Sequence, residues 1–425
     1  MSFDSKTQET KMKSDIHESL FNPKKVPDDA KSILENFDSI IQGILPLNSR
    51  QFSKLPDDIR ELSHQLTDER SSRRMHYMND KVFLSAYARY FMWWNLIRLT
   101  KLFSNINFDS VNLSDGDFCL DIGSGPLTVV TALWLSRPEL RSKKITWYCL
   151  DISKEVLSLG ENIFLSVAAK TLSDSEEELP WKIIRVKGSF GTMIKEKAKL
   201  ITCANMFNEV FQSETHPLTY LAQKYSSELK KYAAENASYL IVEPGVPHSA
   251  RFITCLRECF ISGALFITAP CCHTQSCPMD GKLLKGPHVK NAGTKSGKWC
   301  NFAFNTDDAP AKLKKLSSDA KLPKDRAVLS FIFASSHPGD KKTLEKKPGD
   351  FSNTRDTGET LLLRIASDPI RLYDKTGFYA CSKKGLVLFI PKKGKPVFSG
   401  DLITVELPKN DLQRDKKSGA LIIEG

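Results

Sequence analysis

The spacing of hydrophobic positions changes along this chain, and each change marks a region. Between residues 31 and about 103 they recur every three or four residues, in AKSILENFDSIIQGIL and again in DKVFLSAYARYFMWWNLIRLTKLF. That period puts apolar side chains on one face of a helix and predicts a helical N-terminal region over 31–110. From Asp117 short apolar runs alternate with helical stretches: DFCLDIG, ITWYCLD, WKIIRVKG, AKLITCA, SYLIVEPG, ALFITAP and DRAVLSFIFASS read as strands. Strand and helix in alternation over 111–336 predict a mostly parallel sheet covered on both faces. A polar run rich in Lys, Pro and Gly at 337–360 reads as a linker. Beyond it the period falls to two in LLLRIAS, GFYACS, GLVLFIP, LITVEL and ALIIEG, which predicts a small β-rich, OB-like module over 361–425. Residues 1–30 are polar and predict a disordered tail.

The first strand of the alternating region runs into DIGSGPLT, and a helix follows. Gly123 and Gly125 leave backbone exposed where a ligand can approach, and a helix N-terminus adds free N–H groups. The third glycine of a dinucleotide fingerprint is replaced by Thr128, so the acid-first pattern from Asp121 points to S-adenosylmethionine instead. Asp151 ends the second strand, where an acid can accept from ribose hydroxyls. Ligands of such sheets bind beyond the carboxyl ends of the strands. The expected pocket residues are therefore Asp121, Gly123, Gly125, Asp151, Ser189 and Asn205, with Glu243 at a further strand end. Leu127 stands in the last glycine place and is expected to put a side chain near the methionine end of that cofactor. The fold class is α/β: a Rossmann-like S-adenosylmethionine methyltransferase fold with a helical N-terminal region and a small C-terminal β-rich module. For catalysis, Asn208 and Glu209 are the best-placed polar pair, and no Asn-Pro-Pro-aromatic run is present.

Charge changes the picture of the C-terminal third. The chain carries a net +11, yet residues 281–425 hold 28 Lys and Arg against 16 Asp and Glu, so the excess lies there. A basic end of this kind suits a polyanion such as RNA and argues against a small-molecule substrate. Arg73 and Arg74 add a second basic pair, before the aromatic-rich helix of Tyr87, Tyr90, Phe91, Trp93 and Trp94, whose rings are expected to pack on the following domain. Phe378 and Tyr379 are expected as exposed aromatics on the β-module. No apolar run approaches the roughly 20 residues of a membrane span. The N-terminal stretch lacks an apolar signal core and mixes acids with lysines, so a reducing cytoplasm is expected.

In such a compartment ten cysteines are not a disulfide framework. Cys119, Cys149 and Cys203 lie within predicted core strands, and Cys255 and Cys259 one helical turn apart. Cys271, Cys277 and Cys300 differ, because the stretch 269–300 surrounds them with proline, glycine and polar residues. Cys381 is the only cysteine after them and would complete four thiolates. That set suits tetrahedral zinc or an iron–sulfur cluster, and the five-residue gap with two remote ligands favours the larger group. Cys272 and His273 could substitute in a zinc site.

With these residues in hand, the chain resembles the small-ribosomal-subunit assembly proteins of methyltransferase-like fold, known from mitochondria and bacteria. The resemblance is carried by APC-x5-CP at 269–278, Trp299-Cys300-Asn301-Phe302, FYAC at 378–381, LIVEPG at 240–245, ANMFNEV at 204–210, and the helix holding Ala86, Tyr87 and Tyr90. It covers roughly 70–400 and departs at Leu127 and in the long insert between Cys277 and Cys300. It implies a 4Fe–4S cluster on Cys271, Cys277, Cys300 and Cys381, an S-adenosylmethionine-type pocket, and binding to small-subunit ribosomal RNA by a monomer away from membranes. Two alternatives follow from the same residues: an active S-adenosylmethionine-dependent rRNA methyltransferase, or a zinc-stabilised methyltransferase of a small molecule.

Overall fold

The computed structural model describes residues 15–67, 80–172, 179–210, 215–282, 297–337, 360–392, 394, 396–407 and 413–425. The basic pair Arg73-Arg74, most of the linker 337–360 and the centre of the cysteine insert lie outside these residues. The chain enters through a short strand β1 (Asp15–Glu18) and helices over Asp28–Glu35, Phe37–Ile44 and Ser49–Thr67. Asp80 then caps a helix at Lys81–Ala86, accepting from the Val82 N–H at 2.7 Å, which satisfies an otherwise orphan donor. The helix runs on through a π-helical turn, Tyr87–Met92, into Trp93–Phe103.

Nearly every residue of that last segment is buried, against the helix Thr128–Ser136 among others. Trp93 donates to the Leu34 carbonyl at 2.8 Å and Trp94 to Ser317 at 3.1 Å, so these rings are fixed from both sides and belong to the core. Tyr87 and Phe91 keep part of their surface.

Parallel strands β2 (Phe118–Ile122), β3 (Ile145–Asp151), β4 (Trp181–Lys187), β5 (Ala198–Ala204) and β6 (Ala233–Pro244) form the body of the large sheet. β7 (Phe266–Ala269), β8 (Phe302–Asn305) and β9 (Arg326–Ser335) complete it, with β9 antiparallel to β6, β7 and β8. The order is β4-β3-β2-β5-β6-β9-β7, with β8 on the side of β9. Counting the seven path strands along the chain gives 3-2-1-4-5-7-6 with the seventh reversed, the S-adenosylmethionine methyltransferase arrangement. Central strands buried on both faces read as continuous apolar runs, as Tyr239 to Val242 does.

The C-terminal residues make a second sheet from β10 (Thr360–Ile365), β11 (Ile370–Arg371), β12 (Thr376–Ser382), β13 (Gly385–Ile390), β14 (Leu402–Glu406) and β15 (Leu421–Glu424). Its order is β1-β14-β10-β12-β13-β15. The expected tail and barrel are both corrected. The disordered tail over 1–30 is ordered from Asp15: β1 pairs with β14, and Leu20 and Phe21 are buried. The OB-like barrel is an open path among the described residues, ending at β1 and β15. The physical reason is shared, since the N-terminal strand covers the edge of β14. Phe378 and Tyr379 are buried rather than exposed: Phe378 lies in the small sheet's own core, and the Lys298 ammonium sits 4.4 Å from the centre of the Tyr379 ring.

Candidate functional site

The strand-end cleft takes its shape from β2, β3, β5 and β6. Asp121 is fully buried, and its Oδ1 accepts from the Thr202 hydroxyl at 2.6 Å while Oδ2 has no partner. Burial pushes this carboxyl up to about 7. Gly123 and Gly125 both have positive φ, 66° and 51°, but serve different ends. A Cβ at Gly123 would lie 2.6 Å from the Met206 side chain, so that glycine admits Met206; Gly125 faces open space. The Gly125 N–H donates to Asp151 Oδ2 at 2.9 Å, and the Ser153 N–H to Oδ1 at 3.0 Å. Gly188 donates to the Asp151 carbonyl at 2.9 Å, which sets the exposed Ser189 beside this strand end.

Leu127 does not extend into the cleft as expected. It adopts the left-handed conformation a glycine would take, φ 56°, and is completely buried. A Cβ at Gly160 would come within 2.7 Å of its Cδ1, so the side chain packs on the helix Lys154–Ala169.

Asn205, φ 59°, sits at the end of β5 and accepts through Oδ1 from the Arg98 guanidinium at 2.9 Å. Arg98 also donates to the Val328 carbonyl at 3.2 Å, and burial lowers it to about 10 despite the nearby Glu243. Glu243 is fully buried and accepts from the Phe207 and Asn208 N–H groups at 2.9 and 3.1 Å, fixing the short helix Phe207–Val210. Burial raises it to about 8. Asn208 turns its amide toward the Asn205 carbonyl at 3.3 Å, and Glu209 is exposed. Arg98 is a charge set within the apolar run LIRL of the helix Trp93–Phe103, and that placement is the signal that could have marked it.

The second locus lies where the small sheet meets the large one. β7 delivers Cys271, Cys272 and His273 directly after Pro270. The excursion after Cys277 is zipped shut at its base: Cys300 donates to the Met279 carbonyl at 3.0 Å and Gly281 to the Lys298 carbonyl at 2.9 Å. Cys300 therefore returns beside Cys277. Trp299 anchors that return on the Gly245 carbonyl at 3.1 Å. β12 brings Cys381 in from the other sheet, where His273 Nε2 lies 3.0 Å from its Sγ. The Cys272 thiol points at the Cys381 carbonyl, 3.4 Å away.

Electrostatics record this convergence. Burial, followed by the charges of Cys277 and Cys271, raises Cys300; burial and Cys271 push Cys277 up to about 12. Hydrogen bonding to Cys272 and burial raise Cys381, with Cys277 and Cys271 adding to it, whereas the same bond lowers Cys272. Burial holds His273 down to about 4, so its ring is a neutral ligand-type imidazole. Two unit charges 4 Å apart repel by about 4 kcal/mol at an effective dielectric of 20. Burial keeps these groups as neutral thiols, and several thiolates gathered here would need the positive charge that a metal ion supplies. Cys271, Cys277, Cys300 and Cys381 thus lie within electrostatic reach of one another, while among the described residues the group whose ligand atoms all lie within 4.8 Å is Cys272, His273 and Cys381.

Two arginines that sequence reasoning missed support the locus. Arg257, almost fully buried, donates from Nε to Cys271 Sγ at 3.1 Å and from one terminal nitrogen to the His273 and Gln275 carbonyls at 2.8 and 2.9 Å. Arg364 joins three parts of the chain: the Pro270 carbonyl at 2.8 Å, the Gly400 carbonyl at 2.7 Å and the Glu18 carboxylate at 3.1 Å. Neither lies near a recognisable motif, so only the tertiary contact reveals them.

A family model described as mitochondrial small ribosomal subunit Rsm22 matches residues 107–348. No curated protein matches the chain. Among solved structures, a SAM-dependent methyltransferase from Aquifex aeolicus is 12% identical, with 54% of this chain and 87% of that one covered at a TM-score of 0.27. A SAM-dependent methyltransferase from Geobacter sulfurreducens, in complex with S-adenosyl-L-homocysteine, is 10% identical, with 56% and 89% covered at a TM-score of 0.28. These likenesses add nothing to the strand order already described. No helix among the described residues is long and apolar enough to cross a membrane.

Proposed function

From the premise that this chain belongs to the Rsm22 family, we propose that it is a methyltransferase-like factor of the small ribosomal subunit that binds ribosomal RNA and carries a 4Fe–4S cluster on Cys271, Cys277, Cys300 and Cys381. One observation carries the reading: a cysteine of the C-terminal sheet, Cys381, lies against the cysteine loop of the large domain. A cluster there would supply a covalent cross-link between segments about 80 residues apart, coupling metal binding to the docking of the two sheets. The chain's own residues prepare that docking. Arg364 holds the loop, the small sheet and β1 together, while Arg257 orients Cys271 and offsets thiolate charge.

The RNA surface we propose is the basic end of the small sheet. β15 runs parallel to β13, so the turn before β15 lies at the same end as the turn before β13. Lys416 and Lys417 on one and Lys383 and Lys384 on the other are exposed. Phosphate contacts of this kind give salt-dependent binding. The decisive experiment is anaerobic purification with an ultraviolet–visible spectrum and iron and sulfide quantification, followed by RNA binding across a salt series. About four iron and four sulfide per chain, lost in Cys381→Ser together with RNA affinity, is the expected result. Absent iron, or unchanged RNA affinity in the cluster-free variant, overturns the proposal.

Active rRNA methylation is the second reading, favoured by the open face of Gly125 beside Asp151. Isothermal titration with S-adenosylmethionine tests it, and binding no tighter than millimolar removes it. The sequence expectation is cytoplasmic while the family description is mitochondrial; both compartments keep thiols reduced, and fractionation of the tagged chain separates them.

A further inference from the structure

Cys272, His273 and Cys381 form a second grouping within the locus. All three are buried, and their ligand atoms lie within 4.8 Å of one another. Tetrahedral zinc with Zn–S near 2.3 Å and Zn–N near 2.0–2.1 Å sets its ligand atoms roughly 3.5–3.8 Å apart. The spacing here brackets those values, since His273 Nε2 and Cys381 Sγ are 3.0 Å apart and the whole group spans no more than 4.8 Å. Two thiols and an imidazole are the donors a borderline-soft divalent ion prefers.

We propose that Cys272, His273 and Cys381 bind a single divalent ion of the zinc type when the four-cysteine group is not assembled. Cys381 belongs to both ligand sets, so the two occupancies exclude each other. Cys272 and His273 come from the loop after β7 and Cys381 from β12, so the ion joins the same two sheets by a different triad. The small sheet then stays docked when iron is absent, and the partly built site is protected from oxidation. Three protein ligands leave a fourth position for water. This inference uses the geometry of the triad and does not require that the cluster reading be correct.

The test is zinc competition against a chromophoric chelator on full-length protein prepared free of iron and reduced. One zinc per chain is expected. Its affinity should fall at least tenfold in Cys272→Ser and in His273→Gln, and less than twofold in the double variant Cys277→Ser/Cys300→Ser. Comparable near-ultraviolet circular dichroism confirms that each variant is folded, and His273→Gln preserves polarity should Cys272→Ser unfold. Equal loss in the Cys277/Cys300 double variant assigns the ion to the other set and overturns the proposal, as does wild-type protein that retains no stoichiometric zinc. Iron and sulfide measured on reconstituted Cys272→Ser separate the two readings: an intact cluster with zinc lost supports the triad, whereas a wild-type chain that takes zinc but never iron removes only the cluster.

Discussion

Replacing Arg364 by methionine tests the docking of the two sheets without any metal. The side chain is 4% exposed and its guanidinium serves three acceptors. Methionine keeps most of the apolar stem and removes every donor. The Pro270 and Gly400 carbonyls then lose a charged donor inside the protein, at about 1–3 kcal/mol each. Glu18 is 30% exposed at its side chain, so water recovers much of its lost partner. These losses share one residue and do not add, and a total of about 3 kcal/mol is the reasonable expectation. The effect should be local, because the three acceptors lie on the cysteine loop, the Gly400 turn and β1. Hydrogen exchange of the metal-free protein is the assay. Since about 1.4 kcal/mol is a factor of ten, protection of β1, β10 and β12 should drop about a hundredfold while β2 and β3 hold. Unchanged protection of β10 and β12 in a folded variant would refute the claim that this guanidinium clasps the sheets.

Other substitutions bear on the same structure. Arg257→Lys cannot reach Cys271, His273 and Gln275 together; the iron-loaded protein should bleach in air several-fold faster, and an unchanged bleaching rate removes Arg257 from the site. Glu243 and Asp121 have folded values raised to about 8 and about 7, above those of the unfolded chain. The folded state then holds protons the unfolded state has released, so stability should fall as pH rises from about 4 to about 8. In Glu243→Gln that slope should flatten in a pH series of urea midpoints. Leu127→Gly relieves a left-handed residue, worth about 1–2 kcal/mol, but removes a fully buried leucine, costing about 2–5 kcal/mol. Packing wins, so thermal scans should show a lower melting temperature rather than a restored, more stable turn.

The division between sequence and structure follows from the range of the forces involved. Local periodicity determined the alternating region, since strands and helices are written in spacings of two and near four residues. The acid-first glycine turn at Asp121 and the strand ends at Asp151, Asn205 and Glu243 were legible for the same reason. Cysteine spacing in a polar loop likewise sets Cys271, Cys277 and Cys300 apart from the strand cysteines, without showing which of them hold a metal. Long-range contact decided the rest. Residues 15–18 carry no strand signal strong enough to stand alone, and they became one because β14 offered an unpaired edge. Leu127 looked like an obstruction in the cleft, but its buried place beside Gly160 depends on a helix beginning 27 residues later. Arg257 and Arg364 have no motif, because a guanidinium is specified by the carbonyls and sulfur around it. Sequence put Cys272 and His273 forward only as substitutes in a zinc site; that they meet Cys381, over 100 residues away, was decided by the docking of two sheets.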